Sequence, residues 1–417
     1  MASFPFPFLF SSSSLSSKAL FLLLLHLSCL FKSLSAKHGV VVTHNDHHHH
    51  HHARSPSTNP RLHQAFLALQ AWKKVIYSDP KNHTTNWVGP SVCSYFGVYC
   101  APSLNDSNVQ VVAGIDLNHG DIAGFLPNEL GLLKDLSLLH LNSNRFCGVL
   151  PQSLANLSLL FELDLSNNRF VGPFPSVVLH LPNLTYLDLR FNEFEGQIPP
   201  ELFNKSLDAI FINSNRFTNI IPRNIGGKSA SVIVFANNNL KGCLPPTIAS
   251  FANSLEELLL INTSLSGCLP QEIGFLYKLK VLDVSFNELM GPLPYSLAGL
   301  GQLEQLNLAH NLFTGNLFEG LCNLPNLENV TVSYNYFCEE EGVCRNLTAE
   351  GVAFDDRRNC VPEKPLQRSK KECSAVVERP VDCFEHPCGG GYGSSIAAAP
   401  ASAPISATSS VVAPAHL

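Results

Sequence analysis

Charged residues are scarce in this chain of 417 residues, at 14% against 45% hydrophobic residues. Disordered proteins combine many charges with few apolar residues, so this composition predicts that most of the chain folds. Basic residues are also outnumbered, because 27 Lys and Arg stand against 33 Asp and Glu, for a net charge of −6. The basic patch needed to neutralise phosphates is missing, which argues against nucleic acid as a partner.

Long apolar runs are missing as well. The apolar run from Ala19 to Phe31 follows Lys18 and precedes the small residues Ser35 and Ala36. It is too short to span a bilayer and is typical of a signal peptide, which we place at residues 1–36. No run of 18 apolar residues follows, so we expect a secreted, extracellular protein without a transmembrane anchor.

Motifs of catalysis and metal binding are lacking. The sequence contains no G-x-S-x-G, no H-E-x-x-H, no phosphate-binding glycine loop and no C-x-x-C pair. Twelve cysteines follow the signal peptide, and in an oxidising compartment they indicate disulfides. We therefore expect no enzyme, no metal site and no cofactor.

Eight Asn-x-Ser/Thr sequons are present, and in a secreted protein they predict surface sites of N-glycosylation. They start at Asn82, Asn105, Asn156, Asn183, Asn204, Asn262, Asn329 and Asn346.

Residues 37–57 form a polar leader with six consecutive histidines, His47–His52. The simplest interpretation is a flexible segment. Because imidazole titrates near pH 6.5, the histidines could instead contact acidic wall polysaccharide when protonated, or chelate metal at neutral pH.

A helical cap is predicted over residues 58–110. Asn59 suits an N-cap and Pro60 a first helical position, and apolar residues recur at helical spacing through Trp72. The pair Cys93 and Cys100 follows, and we expect it to staple this lid over one end of a repeat domain.

Ten copies of one template occupy residues 111–337, at a spacing of 23 to 25 residues. Each copy reads L-x-L-x-x-N, then an apolar residue, Gly, an apolar residue and Pro. The position of the template's asparagine, called the rung position here, is occupied in order by Gly120, Asn144, Asn168, Asn192, Asn215, Asn238, Thr263, Asn287, Asn311 and Asn335.

This pattern predicts an α/β fold, a leucine-rich repeat solenoid of the plant-specific type with ten repeats of about 24 residues. The L-x-L leucines point inward from short strands that stack into a concave parallel sheet, and the rung asparagines bond to backbone groups inside the turn.

A Cys-rich C-terminal extension over residues 338–388 is predicted to be a small disulfide-held cap with little core of its own. It contains the stretch Phe354-Asp355-Asp356-Arg357-Arg358-Asn359-Cys360. Residues 389–417 form a tail rich in Gly and then in Ala, Ser and Pro, which we expect to be disordered.

The chain resembles the plant leucine-rich repeat extensin family, also called cell-wall hydroxyproline-rich glycoproteins. The likeness covers residues 59–388 and is carried by the stretches 92–98, 114–119, 161–170, 189–196 and 354–360. It implies an extracellular regulator of wall formation and cell growth whose repeats bind basic, cysteine-containing signalling peptides of the rapid alkalinization factor type. The tail departs from the family, since it has Ala-Pro dipeptides, typical of arabinogalactan-type glycosylation, in place of Ser-Pro-Pro-Pro-Pro repeats.

The outward positions of the predicted strands give a peptide-binding site. Acidic residues there stand beside an apolar strip, a surface suited to a basic, amphipathic ligand. The predicted peptide-binding residues are Glu162, Asp164, Tyr186, Asp188, Arg190, Phe211 and Asp283. We expect Asp164 and Asp188 to point to solvent, and a catalytic carboxylate pair is disfavoured because a solenoid lacks a deep pocket.

Three disulfides are predicted. Cys93 is expected to pair with Cys100, and Cys322 with Cys344. Cys243 and Cys268 precede Leu-Pro in consecutive repeats, so stacking should bring them together. Cys147 lacks a stacked partner, so we predict a free thiol or a bridge between two copies in a homodimer.

Two functions are compatible with the sequence. One is a wall protein that binds signalling peptides, and the other is a defence protein similar to polygalacturonase inhibitors, which bind microbial wall-degrading enzymes and share the 24-residue repeat. Inhibitors of that class end soon after the tenth repeat, so the long extension here favours the first.

Overall fold

The computed structural model describes residues 59–227, 229–377 and 381–383. Its main feature is a sheet of twelve strands, called the long sheet here. Its strands, in sheet order, are β2 (Val98–Pro102), β3 (Gln110–Asp116), β5 (Leu138–His140), β7 (Glu162–Asp164), β9 (Tyr186–Asp188), β11 (Ala209–Phe211), β13 (Val232–Val234), β15 (Glu257–Leu259), β17 (Val281–Asp283), β19 (Gln305–Asn307), β21 (Asn329–Thr331) and β23 (Ala353–Asp355).

All strands of the long sheet from β3 to β23 are parallel, and β2 pairs antiparallel with β3 at the N-terminal edge. Along the three-residue strands from β5 to β21 the central residue is buried, as in β7, where Leu163 is buried between the half-buried Glu162 and Asp164. The predicted leucine-rich repeat solenoid is therefore confirmed.

Shorter strands that follow the rung positions form two further sheets. The first contains β1 (Ile76–Ser78), β4 (Ala123–Gly124), β6 (Arg145–Gly148), β8 (Arg169–Pro173), β10 (Glu193–Gly196), β12 (Arg216–Ile220) and β14 (Asn239–Lys241). The second contains β16 (Ser266–Cys268), β18 (Glu288–Pro292), β20 (Leu312–Leu317) and β22 (Tyr336–Glu340).

Helical turns close most repeats on the side away from the long sheet. The α-helices are α1 (Pro60–Val75), α2 (Glu319–Cys322) and α3 (Lys370–Val377). The 3-10 helices are Val92–Ser94, Asn128–Leu132, Gln152–Asn156, Ser176–His180, Pro200–Asn204, Pro246–Phe251, Gln271–Phe275, Tyr295–Gly299 and Gly342–Glu350.

Helix α1 covers the N-terminal end of the core. The Asn59 side chain accepts a hydrogen bond from the Arg61 backbone N–H at 3.0 Å, which caps the helix. The buried Trp72 packs edge-on against Trp87, with ring centroids 5.8 Å apart, and also contacts Phe146 of β6. The lid is thus joined to the repeats by a continuous apolar core.

Rung asparagines satisfy the backbone inside each turn. Asn168 donates to the carbonyls of Leu141 and Leu165 at 2.8 and 3.1 Å, and its side-chain oxygen accepts from the Phe146 N–H at 2.9 Å. These groups lie out of reach of water, so an unpaired one would be costly. The asparagines are therefore structural.

The extension contains an eleventh repeat, which the predicted small disulfide-held cap did not include. Strand β23 continues the long sheet, and Asn359 lies 24 residues after Asn335. The fully buried Asn359 side chain donates to the Val332 and Asp356 carbonyls at 3.0 and 2.9 Å and accepts from the Phe337 N–H at 3.1 Å. This set of bonds is that of a rung asparagine.

Replacing Asn359 by Ala should lower the free energy of unfolding by about 2 kcal/mol, because buried backbone groups lose their partners. Asn335→Ala, at the tenth rung, should cost a similar amount. Chemical denaturation of both variants measures the two costs. An Asn359 variant as stable as the wild type would show that the extension does not fold as a repeat.

The disulfides are partly those predicted. Cys93–Cys100 and Cys322–Cys344 are both present. The Cys243–Cys268 pairing is wrong, because Cys268 is bonded to Cys383, with α-carbons 5.8 Å apart. The prediction for Cys147 is also wrong, since both Cys147 and Cys243 are disulfide-bonded.

Three of the described disulfides involve the extension, and one of them is the Cys322–Cys344 bond. Cys268–Cys383 closes a separation of 115 residues, and Cys360–Cys373 joins the turn after β23 to α3. Among the described cysteines Cys338 is the free thiol.

Peptide mapping without reduction should recover the Cys268 peptide joined to the Cys383 peptide. A Cys268 peptide joined to the Cys243 peptide would contradict the structure and restore the stacking argument. The Cys93–Cys100 link serves as the internal control in the same digest.

All eight predicted glycosylation sequons lie at exposed asparagines. One of them, Asn329, is in β21 of the long sheet, and the others lie in loops, turns and 3-10 helices. Their glycosylation stays a prediction. The signal peptide, the histidine leader and the tail lie outside the described residues.

Candidate functional site

Three consecutive strands bring six of the seven predicted peptide-binding residues together. In the parallel register, Glu162 lies beside Tyr186, while Asp164, Asp188 and Phe211 are neighbours in a row. Arg190 follows Asp188 on the same side. We call these six residues the β7–β11 cluster, after the strands that carry them.

Asp283 lies apart from the cluster. The row from Phe211 runs through Val234 and Leu259 before it reaches Asp283 in β17. At about 4.8 Å per strand, this places Asp283 about 14 Å from Phe211. The structure therefore does not bring Asp283 to the same site.

Two aromatic rings form the apolar part of the cluster. The rings of Tyr186 and Phe211 are tilted by 50° with centroids 5.7 Å apart. The Arg190 guanidinium lies over the Phe211 ring, 5.0 Å from its centroid, a cation–π contact. Tyr186 and Phe211 remain half-buried, so part of each ring is open to a ligand.

Asp188 does not point to solvent, so that prediction is wrong. Its side chain is 0% exposed and pairs with Arg190, with Nε 2.9 Å from Oδ2. The Arg190 backbone N–H donates to Oδ1 at 3.0 Å, and the Tyr186 hydroxyl lies 3.5 Å from Oδ2. The long side chains of neighbouring positions cover this carboxyl. Asp164 is partly exposed, as expected.

Burial controls the protonation of the cluster. It raises the pKa of Asp188 to about 7, with a further upward contribution from the charge on Asp164, and these effects outweigh the hydrogen bond and charge of Arg190. Burial also raises the pKa of Tyr186 to about 12, assisted by the nearby Asp188 and Asp164. The tyrosine is thus a neutral hydroxyl at any physiological pH.

The remaining carboxylates have local partners. Asp164 accepts from the Ser166 backbone N–H at 2.9 Å and from its hydroxyl at 2.5 Å. Glu162 contacts the His140 ring, with Nε2 3.0 Å from Oε2. Both carboxylates stay partly exposed and carry negative charge to the face of the long sheet.

The Asp-Arg pair of the cluster recurs at the far end of the long sheet. Asp355 and Arg357 in the eleventh repeat occupy the positions of Asp188 and Arg190, and Arg357 Nε lies 2.8 Å from Asp355 Oδ1. The predicted site did not include this second pair, although the repeated D-x-R spacing is its signal in the sequence.

The described part of the chain offers neither a metal site nor a helix suited to a membrane. No group of three or more His, Cys, Asp or Glu side chains there could hold a metal ion. No helix within the described ranges is long and apolar enough to cross a membrane.

The stacked strands, rung asparagines and capped core define a leucine-rich repeat protein. Family models agree: one described as a leucine rich repeat N-terminal domain matches residues 62–101, and leucine rich repeat models match 134–194, 278–300 and 302–324.

The chain belongs to the leucine-rich repeat extensin-like family, as the resemblance implied. It is 60% identical over 334 residues to leucine-rich repeat extensin-like protein 6 of Arabidopsis thaliana, which covers 80% of this chain and 70% of that relative. It is 65% identical over 333 residues to pollen-specific leucine-rich repeat extensin-like protein 2 of the same plant, covering 80% of this chain but 39% of the relative. Much of the length of such longer relatives lies outside the part that aligns with this chain.

Solved structures with the same fold include receptor ectodomains. The Arabidopsis receptor kinase HAESA, in complex with the peptide hormone IDA and the co-receptor SERK1, matches with a TM-score of 0.60 and 28% identity over 66% of this chain and 46% of that one. A plant ice-binding protein matches with a TM-score of 0.58 and 26% identity over 75% of this chain and 99% of that one.

Proposed function

We propose that this protein is an extracellular, cell-wall binding protein, not an enzyme, and that it takes a basic, cysteine-containing signalling peptide of the rapid alkalinization factor type. The peptide would bind on the β7–β11 cluster, and its capture would regulate wall formation and cell growth. A homodimer and a contact with acidic polysaccharide through the histidine leader stay predictions.

The observation that carries this proposal is the aromatic pair beside exposed carboxylates. The half-exposed rings of Tyr186 and Phe211 offer apolar contact, while Glu162 and Asp164 carry negative charge next to them. Aromatic contacts dominate affinity at most interfaces, and charge of opposite sign speeds association. A small basic peptide matches both features.

The relatives and the solved structures favour the peptide-binding hypothesis over the inhibitor hypothesis. The relatives are named extensin-like, and the HAESA ectodomain was solved with a peptide hormone. Strand β23 of the eleventh repeat extends the face of the long sheet beyond the tenth repeat. The Cys360–Cys373 disulfide holds the chain that follows this strand.

Asp164→Asn tests the electrostatic part of the proposal. We expect association with a synthetic rapid alkalinization factor peptide to slow by about fivefold at low ionic strength, with little change in dissociation. The difference should shrink in physiological salt, where screening acts over about 8 Å. Surface plasmon resonance at both ionic strengths measures these rates.

Asp116→Asn is the matched control, because Asp116 occupies the same position two strands away and is also partly exposed. Its association rate should stay near that of the wild type. If Asp164→Asn and Asp116→Asn behaved alike at low salt, the β7–β11 cluster would not be the site.

A further inference from the structure

Three aromatic side chains stack in consecutive repeats near the C-terminal end of the long sheet. Phe286 and His310 have ring centroids 4.2 Å apart at 12°, and His310 and Tyr334 have centroids 4.1 Å apart at 11°. Each residue directly precedes a rung asparagine. We call these three residues the aromatic column.

The backbone at these positions does not favour aromatic residues. Phe286, His310 and Tyr334 have φ values of 56°, 56° and 60°, in the left-handed region where bulky side chains are uncommon. Most other repeats place small polar residues at this position, namely Ser143, Asn167, Ser214, Asn237 and Asn262. The column therefore exists despite the backbone conformation. Phe286 and Tyr334 also stay 54% and 40% exposed, so burial does not explain it.

The column ends in a pocket of about 400 Å³, a volume within the range of small-ligand sites. Tyr334, Arg357, Arg358, Leu366 and Gln367 line it. The loop after Cys360 forms the far wall, where the Arg358 N–H donates to the Leu366 carbonyl at 2.9 Å. Stacking on His310 holds the Tyr334 ring in place, so this wall of the pocket is formed before any ligand arrives.

The two arginines that line the pocket present hydrogen-bond donors to it. Arg357 binds Asp355 through Nε and Nη2 at 2.8 and 2.9 Å, and Arg358 Nη2 lies 3.2 Å from Glu372. Each guanidinium has five N–H donors, and these contacts use only some of them. The two carboxylates also accept bonds from the Arg357 and Ser369 backbone N–H groups and do not line the pocket. The free donors of the two arginines suit a ligand that carries many oxygen atoms.

The charge of this corner differs from that of the whole chain. Two arginines, Arg357 and Arg358, line the pocket, and no carboxylate is among its lining residues. The chain as a whole carries −6. The pocket therefore favours an anionic ligand and disfavours the basic peptide proposed for the β7–β11 cluster.

We propose that the aromatic column and its pocket bind a linear oligosaccharide that contains uronic acid units. The C–H groups of a sugar ring pack on Tyr334, its hydroxyl oxygens accept hydrogen bonds from Arg357 and Arg358, and its carboxylate binds one of these guanidiniums. Five strand spacings separate β11 from β21, about 24 Å. The peptide and the oligosaccharide can thus bind at the same time.

Isothermal titration calorimetry of the full chain with a short galacturonic acid oligomer tests the proposal. We expect binding by the wild type, and binding about tenfold weaker in Tyr334→Ala and in Arg358→Gln. Tyr334→Leu, which keeps an apolar side chain, is a second variant in case the alanine variant unfolds, and thermal melts verify the fold of each.

Matched controls exist elsewhere in the repeats. Phe191 has the same backbone conformation, with φ of 53°, and is 54% exposed, but lies outside the column. Arg216 pairs with Glu193 at 2.7 Å as Arg358 does with Glu372. Phe191→Ala and Arg216→Gln should leave oligosaccharide binding unchanged.

Three outcomes would overturn the proposal. They are no binding by the wild type, equal binding by the folded Tyr334 and Arg358 variants, and binding of polyglutamate as tight as that of the uronic acid oligomer, which would reveal charge attraction alone. The Asp164→Asn variant should bind the oligosaccharide normally, so this test is independent of the peptide site.

Discussion

Replacing Tyr186 and Phe211 together by Ala should weaken the binding of a rapid alkalinization factor peptide by about 100-fold, or about 2.7 kcal/mol. The two rings are the largest partly exposed apolar groups of the β7–β11 cluster and lie 5.7 Å apart. Most of the loss should appear in faster dissociation, because apolar contacts form after the encounter that charge accelerates.

The controls separate loss of contact from loss of fold. Tyr186→Phe keeps the ring and should bind within about threefold of the wild type, a small effect on the affinity scale. Phe286→Ala removes an exposed ring in the aromatic column and should leave peptide binding unchanged. A double variant that melts as the wild type does and still binds tightly would exclude the aromatic pair as the centre of the site.

The repeat architecture was readable from the sequence because its signal is periodic. The L-x-L pairs and rung asparagines specify which residues point inward, and the period specifies which strands are neighbours. Parallel register then brings Asp164, Asp188 and Phe211 into one row, so most of the candidate site was predictable.

The eleventh repeat was missed because its strand departs from the template. Phe354 and Asp355 fit the first two positions of L-x-L, but Asp356 stands where the second leucine is usual, so the stretch resembles a charged cap. The correct signal was the spacing of 24 residues from Asn335 to Asn359, which carries the hydrogen bonds of the turn.

Two other predictions were wrong for one physical reason. The alternation of side chains along a strand tells which way each side chain points, but not which other side chains surround it. Asp188 points away from the core as predicted, but the side chains of Tyr186 and Arg190 close over it. Likewise, stacking places Cys243 and Cys268 in consecutive repeats, while the returning extension supplies Cys383 as the actual partner of Cys268. Contacts of this kind depend on chain paths that a repeat period does not encode.

Asp188 should make the stability of the protein fall as pH rises from about 4 to about 7. Its pKa is raised from 3.8 to about 7 in the folded state, so in this window the folded chain holds a proton that the unfolded chain has lost. Each pKa unit corresponds to about 1.4 kcal/mol, which bounds the loss at about 4 kcal/mol. The full contribution is present below pH 4 and is gone above pH 7.

Asp188→Asn replaces the neutral acid by a group of the same shape that does not titrate. We expect its stability relative to the wild type to increase between pH 4 and pH 8 by up to about 4 kcal/mol, measured by chemical denaturation. Burial raises the pKa of Glu340 to about 7 as well, and its effect cancels in the difference because both proteins contain it.

Asp283→Asn provides the matched control for Asp188→Asn, since Asp283 occupies the same row of the long sheet but is partly exposed. Asp283→Asn therefore exchanges a group that keeps contact with water and removes no buried carboxyl. The stability difference between this variant and the wild type should therefore stay nearly constant across the same pH range. If the stabilities of the Asp188 and Asp283 variants, each relative to the wild type, changed with pH in the same way, burial of Asp188 would not be the cause of the pH dependence.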